Sequence, residues 1–258
     1  MINKDRKIVK ILKVNVSSIR RSQVLDEIRG SLKKNKKILI VTPNPEIMVH
    51  AQGSKKLLVS LNSADISICD GIGLLWALKL LKKEVPERFR GRELMIDLLK
   101  IANDSKLKVY FLGASDSVNR KAVNLAKEKY PKAKILGASG PWLDDQADPV
   151  TDFYNKHEIE VVNHINDQKP AILLVAFGAP KQEIWAHKWR NNLDVTVIMT
   201  VGGAFDYFAG TAVVPPIWVA RVGLEWLWRL LREPRRFKRI INALVTFPLL
   251  VLKERFLE

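Results

Sequence analysis

The sequence predicts an α/β fold: a mainly parallel sheet flanked by helices, followed by a C-terminal helical appendage. Three observations carry this. Short β-branched runs alternate with longer segments of helical period, 258 residues leave room for one large α/β domain, and the grammar changes after residue 212. The expected division is 1–211 for a ligand-binding body and 212–258 for the appendage.

The opening stretch MINKDRKIVKILKVNV alternates charged and β-branched residues. It lacks the apolar h-region of a signal peptide and reads as a first strand, near 8–16. Further strands are expected near 37–42, 65–69, 108–112, 134–137, 171–177 and 195–201, with helices between them. The best supported helices are 45–60, 73–83, 92–103, 117–130, 150–167 and 181–191, several opened by Pro, Asp or Ser, which suit a first turn.

Ligands in such sheets sit at the carboxyl ends of strands, where loops form a crevice and helix N-termini aim their amides. In VTPNPEIMVHAQ, Thr42 and Asn44 offer a hydroxyl and an amide at a strand-to-helix junction. Pro45 fits the first helical turn, and residue type alone favours Asn44 as an N-cap. In ADISICDGIGLLWALKLL, Asp70 ends a strand before Gly71 and Gly73, which would let backbone amides approach a diphosphate. Asp70 there is a base, a ribose contact or a cap. EVPERFRGRELMIDLL carries Arg88, Arg90 and Arg92; at least one is expected to reach an anionic ligand, and a solvated charge run would account for two of the three. Gly113 in VYFLGASD, Gly178 to Gln182 in LLVAFGAPKQEIW, and Gly203 in VGGAFDYFAG complete five loops at one edge, enough for a nucleotide-sized crevice.

After Pro215-Pro216 no strand-like run remains. Over 217–232, Arg221, Glu225, Arg229 and Arg232 form one helical stripe, and Ile217, Trp218, Leu224, Trp228 and Leu231 can cover another side. A second helix opens with Arg235, Arg236, Lys238 and Arg239 and runs into the apolar stretch 240–252. That stretch is 13 residues long, interrupted by Asn242, Thr246 and Pro248, against about 20 for a bilayer span.

Charge is uneven along the chain. Lys and Arg total 43 against 27 Asp and Glu, a net +16 concentrated at the two ends. Nucleic acid, an anionic membrane and a phosphorylated substrate are the partners that balance suggests. A single cysteine, Cys69, forms no internal disulfide and fits a reducing cytoplasm.

Missing motifs narrow the chemistry. G-x-x-x-x-G-K-[ST] and G-x-S-x-G are absent, which excludes P-loop enzymes and standard α/β-hydrolases. No H-E-x-x-H, C-x-x-C or Asp-x-Asp pair offers a metal site, so a leaving group's charge would fall to Arg, Lys and amides. Trp76 stands where a dinucleotide fingerprint needs its third glycine, which argues against an NAD-dependent oxidoreductase.

TPNPEIMVHAQ, the ADISICDGIG loop, RFRG, AFGAPKQE and VGGAFDYFAG, in this order and followed by the Trp- and Arg-rich tail, resemble the WecG/TagA/CpsF glycosyltransferase family from about residue 8 to the C-terminus. The resemblance implies a Rossmann-like domain of the type called GT-E. It also implies an inverting transfer of an N-acetylmannosamine-type sugar from a UDP donor to polyprenyl diphosphate N-acetylglucosamine, as in teichoic acid and related polysaccharide biosynthesis. No cofactor or metal is implied. The protein is expected in the cytoplasm, held peripherally at the inner face of the membrane by its appendage, with a homo-oligomer left open. Residue by residue, the catalytic aspartate falls on Asp70, the polar pocket residues on Thr42 and Asn44, the arginine on Arg88 and the glutamine on Gln182. Gly71, Gly113 and Gly203 are expected to bind substrate through their backbone.

The residues suit that reaction. Asp70 would take the acceptor hydroxyl's proton while Arg88 meets departing UDP. An ordinary Asp titrates near ~3.9, so a partly dry pocket would make it a better base. Arg229, Arg232, Arg235, Arg236 and Arg239 are expected to meet lipid diphosphate or an anionic surface, with Phe247, Leu249 and Leu250 entering the lipid. Nucleic-acid binding, the rival suggested by charge, would need aromatic and basic residues interleaved on a sheet face or a helix-turn-helix, and neither is present.

Overall fold

A computed structural model describes residues 7–87, 90–212, 227–228 and 237–257. The expectations placed on Arg88, Arg229, Arg232, Arg235 and Arg236, and most of the helix expected over 217–232, lie outside these residues.

Six strands form one parallel sheet: β3 (Ile38–Val41), β4 (Ile66–Ser67), β5 (Lys108–Gly113), β6 (Lys134–Ala138), β7 (Ile172–Ala176) and β8 (Val197–Thr200), in the order β4-β3-β8-β7-β5-β6. Central strands carry apolar side chains on both faces, as sheets covered on both sides require. Leu39, Val41, Leu173 and Val175 enter one core, while Ile38, Ile40, Ile172 and Leu174 enter the other. The period-2 alternation of a strand thus splits each run between two hydrophobic layers.

The first expected strand is instead two. β1 (Lys7–Ile11) and β2 (Val14–Ser18) pair antiparallel in a separate sheet, with Ile11 opposite Val14. Leu12 and Lys13 between them have φ of 49° and 66°, the left-handed pair that a tight two-residue hairpin uses. The helix expected at 45–60 also divides, into α2 (Pro45–Gly53) and α3 (Lys55–Asn62), after α1 (Arg21–Lys34). Ser54 breaks it: its backbone is extended, and its hydroxyl caps α3 by accepting from the Leu57 N–H at 3.2 Å.

The remaining helices are α4 (Ile72–Leu80), α5 (Gly91–Asp104), α6 (Asp116–Lys129), α7 (Asp152–Gln168), α8 (Lys181–Trp189), the short α9 (Ala204–Phe208), and the terminal pair α10 (Phe237–Ile241) and α11 (Phe247–Leu257). A π-helical turn over Asn242–Thr246 joins the last two. Loosening the hydrogen-bond ladder there accommodates Pro248, which lacks an N–H.

The terminal helix is tied to the body at several points. Phe247 and Val251 are fully buried in the same core as Ile11, Leu12, Val14 and Met48. Glu254 accepts from the Leu12 N–H at 2.8 Å and pairs with Lys83 at 3.3 Å. The expectation that Phe247 enters lipid is therefore corrected, because its ring fills protein interior. Leu249 is 61% exposed and remains on the surface.

Candidate active site

A cleft of about 860 Å³ opens along the carboxyl ends of the central strands, within the size range of small-molecule sites. Its walls come from the loops after β3, β4, β7 and β8, from the start of α5 and from the terminal helix. Thr42, Asn44, Asp70, Gly71, Gln182, Gly203 and Arg239 all line it.

The loop after β3 is fixed first. Thr42 is buried and its hydroxyl reaches the Thr200 carbonyl at 3.4 Å, tying β3 to β8. Asn44 is the N-cap of α2, its Oδ1 accepting from the Ile47 N–H at 3.0 Å. Cap and cleft residue are thus one side chain.

Asp70 is held against this loop. Its backbone N–H donates to the Pro43 carbonyl at 3.2 Å, and Gly71 turns the chain with φ +105° into α4. The glycine spacing has a packing reason as well. A Cβ on Gly73 would stand 2.6 Å from the Pro45 ring, so only glycine lets the start of α4 close on the start of α2. Asp70 is thereby carried to the cleft at the junction of two interlocked turns.

Gln182, in the first turn of α8, is almost wholly buried, and both ends of its amide are engaged. Oε1 accepts from the Gly202 N–H at 2.9 Å, and Nε2 donates to Glu183 Oε1 at 2.7 Å. Glu183 is itself fully buried. Burial pushes its carboxyl up to about 7; the Gln182 hydrogen bond, its own backbone and the nearby Thr200 act the other way, and Glu46 adds to the rise.

Gly113 belongs elsewhere. It is absent from the cleft lining; at φ +102°, a Cβ there would stand 2.7 Å from the Ala176 carbonyl carbon, so the residue serves the close pairing of β5 with β7. Arg90 and Arg92 both line the cleft, where a solvated charge run would have accounted for two of the three arginines. Arg90 caps α5, its carbonyl accepting from the Glu93 N–H and its own N–H donating to Glu93 Oε2, and the Arg92 guanidinium lies 5.2 Å from the centre of the Tyr207 ring.

Sequence reasoning missed Glu46, Asp206 and Tyr207, which also line the cleft. The signal was present in VGGAFDYFAG, from which only a glycine was taken: α9 places Asp206 and Tyr207 together beyond β8. Glu46 forms an ion pair with Arg239 of α10, Nε to Oε1 at 3.0 Å. Among the described residues, no group of three or more His, Cys, Asp or Glu is gathered to hold a metal ion.

A parallel α/β sheet with a cleft at the carboxyl ends of its strands, lined by Arg90, Arg92 and Arg239, is the arrangement in which α/β enzymes place their ligands. The particular relationship comes from comparison with known proteins. The chain belongs to the glycosyl transferase WecG/TagA/CpsF family, whose sequence model matches residues 9–258. It is 35% identical over 211 residues, 82% of this chain and 77% of the other, to the N-acetylglucosaminyldiphosphoundecaprenol N-acetyl-beta-D-mannosaminyltransferase of Bacillus spizizenii. It is 31% identical to the protein of that name from Bacillus subtilis, covering 84% and 79% of the two chains, and 30% identical to that from Staphylococcus aureus strain MW2, covering 90% and 87%. No described helix is long and apolar enough to cross a membrane.

Proposed function

We propose that the protein transfers N-acetylmannosamine from a UDP donor to N-acetylglucosaminyl diphosphoundecaprenol with inversion at the anomeric carbon. The observation that carries this reading is the convergence of Asp70 with Thr42, Asn44 and Gln182, from three strand ends, in one cleft closed on another side by the terminal helix and Arg239. The names of the relatives support the acceptor and the sugar.

In the proposed step, the acceptor hydroxyl oxygen attacks the sugar's anomeric carbon and the bond from that carbon to the UDP oxygen breaks. The bonding electrons leave with UDP, and the hydroxyl proton passes to the Asp70 carboxylate. Thr42, Asn44 and Gln182 orient the sugar. Arg88, with Arg90, Arg92 and Arg239 at the rim, meets the charge that grows on the departing diphosphate. Backbone at Gly71 and Gly203 approaches the donor. The reaction needs no metal, since guanidinium groups and amides supply the positive potential.

Residues 1–211 are read as the catalytic body and 212–258 as an appendage that docks on the anionic inner face of the membrane. Arg229, Arg232, Arg235 and Arg236 would supply the attraction, each worth about 1 kcal/mol near such a surface. Exposed Leu249, Val245 and Ile241 on the described terminal helix offer the apolar contact.

The test is an assay of purified protein in EDTA, with a panel of UDP-sugars and a short-chain lipid diphosphate N-acetylglucosamine. The expected result is turnover of UDP-N-acetylmannosamine with a product of inverted anomeric configuration. Retention, a different preferred sugar, or activity restored only by Mg²⁺ would each overturn the corresponding part of the reading.

A further inference from the structure

Behind the cleft lies a carboxyl that the transfer step does not use. Glu183 is fully buried, and its Oε1 accepts from Gln182. The hydroxyl of Thr200, buried on β8, lies close enough to act on the same carboxyl. A buried carboxyl is a cost to the fold, offset in part by the hydrogen bond it accepts from the buried Gln182 amide. Its contact with Gln182 ties it to the cleft, which Gln182 lines.

We propose that Glu183 is a positioning residue for the donor sugar, acting through the orientation of the Gln182 side chain. An amide can present either end to a neighbour, and here both ends are dictated. The Gly202 N–H demands the amide oxygen, and Glu183 Oε1, an acceptor whether the carboxyl is charged or neutral, demands the amide nitrogen. With one Nε2 hydrogen spent on Glu183, the second is held for a hydroxyl or carbonyl oxygen of a ligand in the cleft that Gln182 lines. Burial raises the carboxyl's affinity for a proton, opposed by Gln182, its own backbone and Thr200 and reinforced by Glu46. A proton would sit on Oε2, leaving Oε1 as acceptor.

This inference rests on the reading of the cleft as a nucleotide-sugar site. Its test compares Glu183→Gln, which keeps an acceptor for Gln182, with Glu183→Leu, which removes it. One hydrogen bond's worth of positioning predicts that Glu183→Leu raises KM for the UDP-sugar about tenfold, while Glu183→Gln stays within about threefold of the natural protein. Affinity for UDP alone, which lacks the sugar, should match the natural protein in both. A contact readout stands beside the kinetics: the Gln182 side-chain amide resonances, followed by ¹⁵N NMR, should move in Glu183→Leu and hold in Glu183→Gln. Equal damage by the two variants, a loss of UDP affinity as large as the rise in KM, or unmoved resonances in Glu183→Leu would overturn the proposal. If the natural protein turns over no UDP-sugar, the reading of the cleft fails, and the resonances still decide whether Glu183 orients Gln182.

Discussion

Arg239 and Glu46 meet at 3.0 Å across the edge of the cleft, joining α10 to the first turn of α2. Both side chains line the cleft, so the pair sets where a cationic group stands when a diphosphate enters. Arg239 is nearly half exposed, and such ion pairs contribute about 0–1 kcal/mol. Arg239→Ala should therefore change stability by less than about 1 kcal/mol while lowering turnover about tenfold or more, as loss of a charge-assisted phosphate contact requires. Urea unfolding beside steady-state kinetics separates the two effects.

Asp70 sits at the junction of the β3 and β4 loops, placed there by its backbone bond to Pro43 and by the fit of Gly73 on Pro45. Removing only its basicity should leave this geometry standing. Asp70→Asn is expected to lower turnover by about 10² or more with donor affinity nearly unchanged. Calorimetry with the donor and single-turnover rates would check both halves, and near-natural rates would remove Asp70 from the mechanism.

Glu183 makes the pH dependence of stability testable. Its carboxyl titrates at about 7 in the folded protein against an ordinary 4.5, so the folded state holds the proton more tightly. The stability associated with this proton is complete below the unfolded value and is lost as pH rises through about 7. The span corresponds to on the order of 3 kcal/mol. Relative to Glu183→Gln, the natural protein should lose stability between pH 5 and 8, and urea unfolding at those two values gives the difference directly.

Gly113 should prove structural. Alanine there must adopt φ near +102° and find room 2.7 Å from the Ala176 carbonyl carbon. Gly113→Ala is expected to cost about 1–3 kcal/mol. The activity of the fraction that folds should match the natural protein. A lower Tm with unchanged kcat and KM is the outcome to look for.

The terminal helix gives two opposite expectations from neighbouring residues. Phe247→Ala, by opening a cavity in the core, should cost about 3–5 kcal/mol, whereas Leu249→Asp on the surface should change stability by less than about 0.5 kcal/mol. Leu249→Asp should instead weaken the salt-resistant part of binding to anionic liposomes, read by sedimentation at rising salt. Because Phe247 and Val251 are core residues, deletion of 212–258 would uncover apolar surface of the body, and point substitutions are the cleaner probe.

Local chemistry by itself determined the sheet's strands, most of its helices and the order of the loops that build the cleft. Short β-branched apolar runs, helix-opening Pro, Asp and Ser, and the Asp70-Gly71 junction are written over a few consecutive residues. Spatial neighbours far apart in sequence decided the rest. Gly71 and Gly113 share a left-handed backbone, yet one turns into the cleft and the other packs on Ala176, because β7 lies beside β5. Glu183 reads in sequence as an ordinary polar neighbour of Gln182; only the closure of α8 on β8 removes it from water. Phe247 and Leu249 are two apolar residues of one run. The way their helix docks against α2, α4 and the turn between β1 and β2 sends one inward and the other out, since composition fixes a helix's greasiness and packing fixes its rotation.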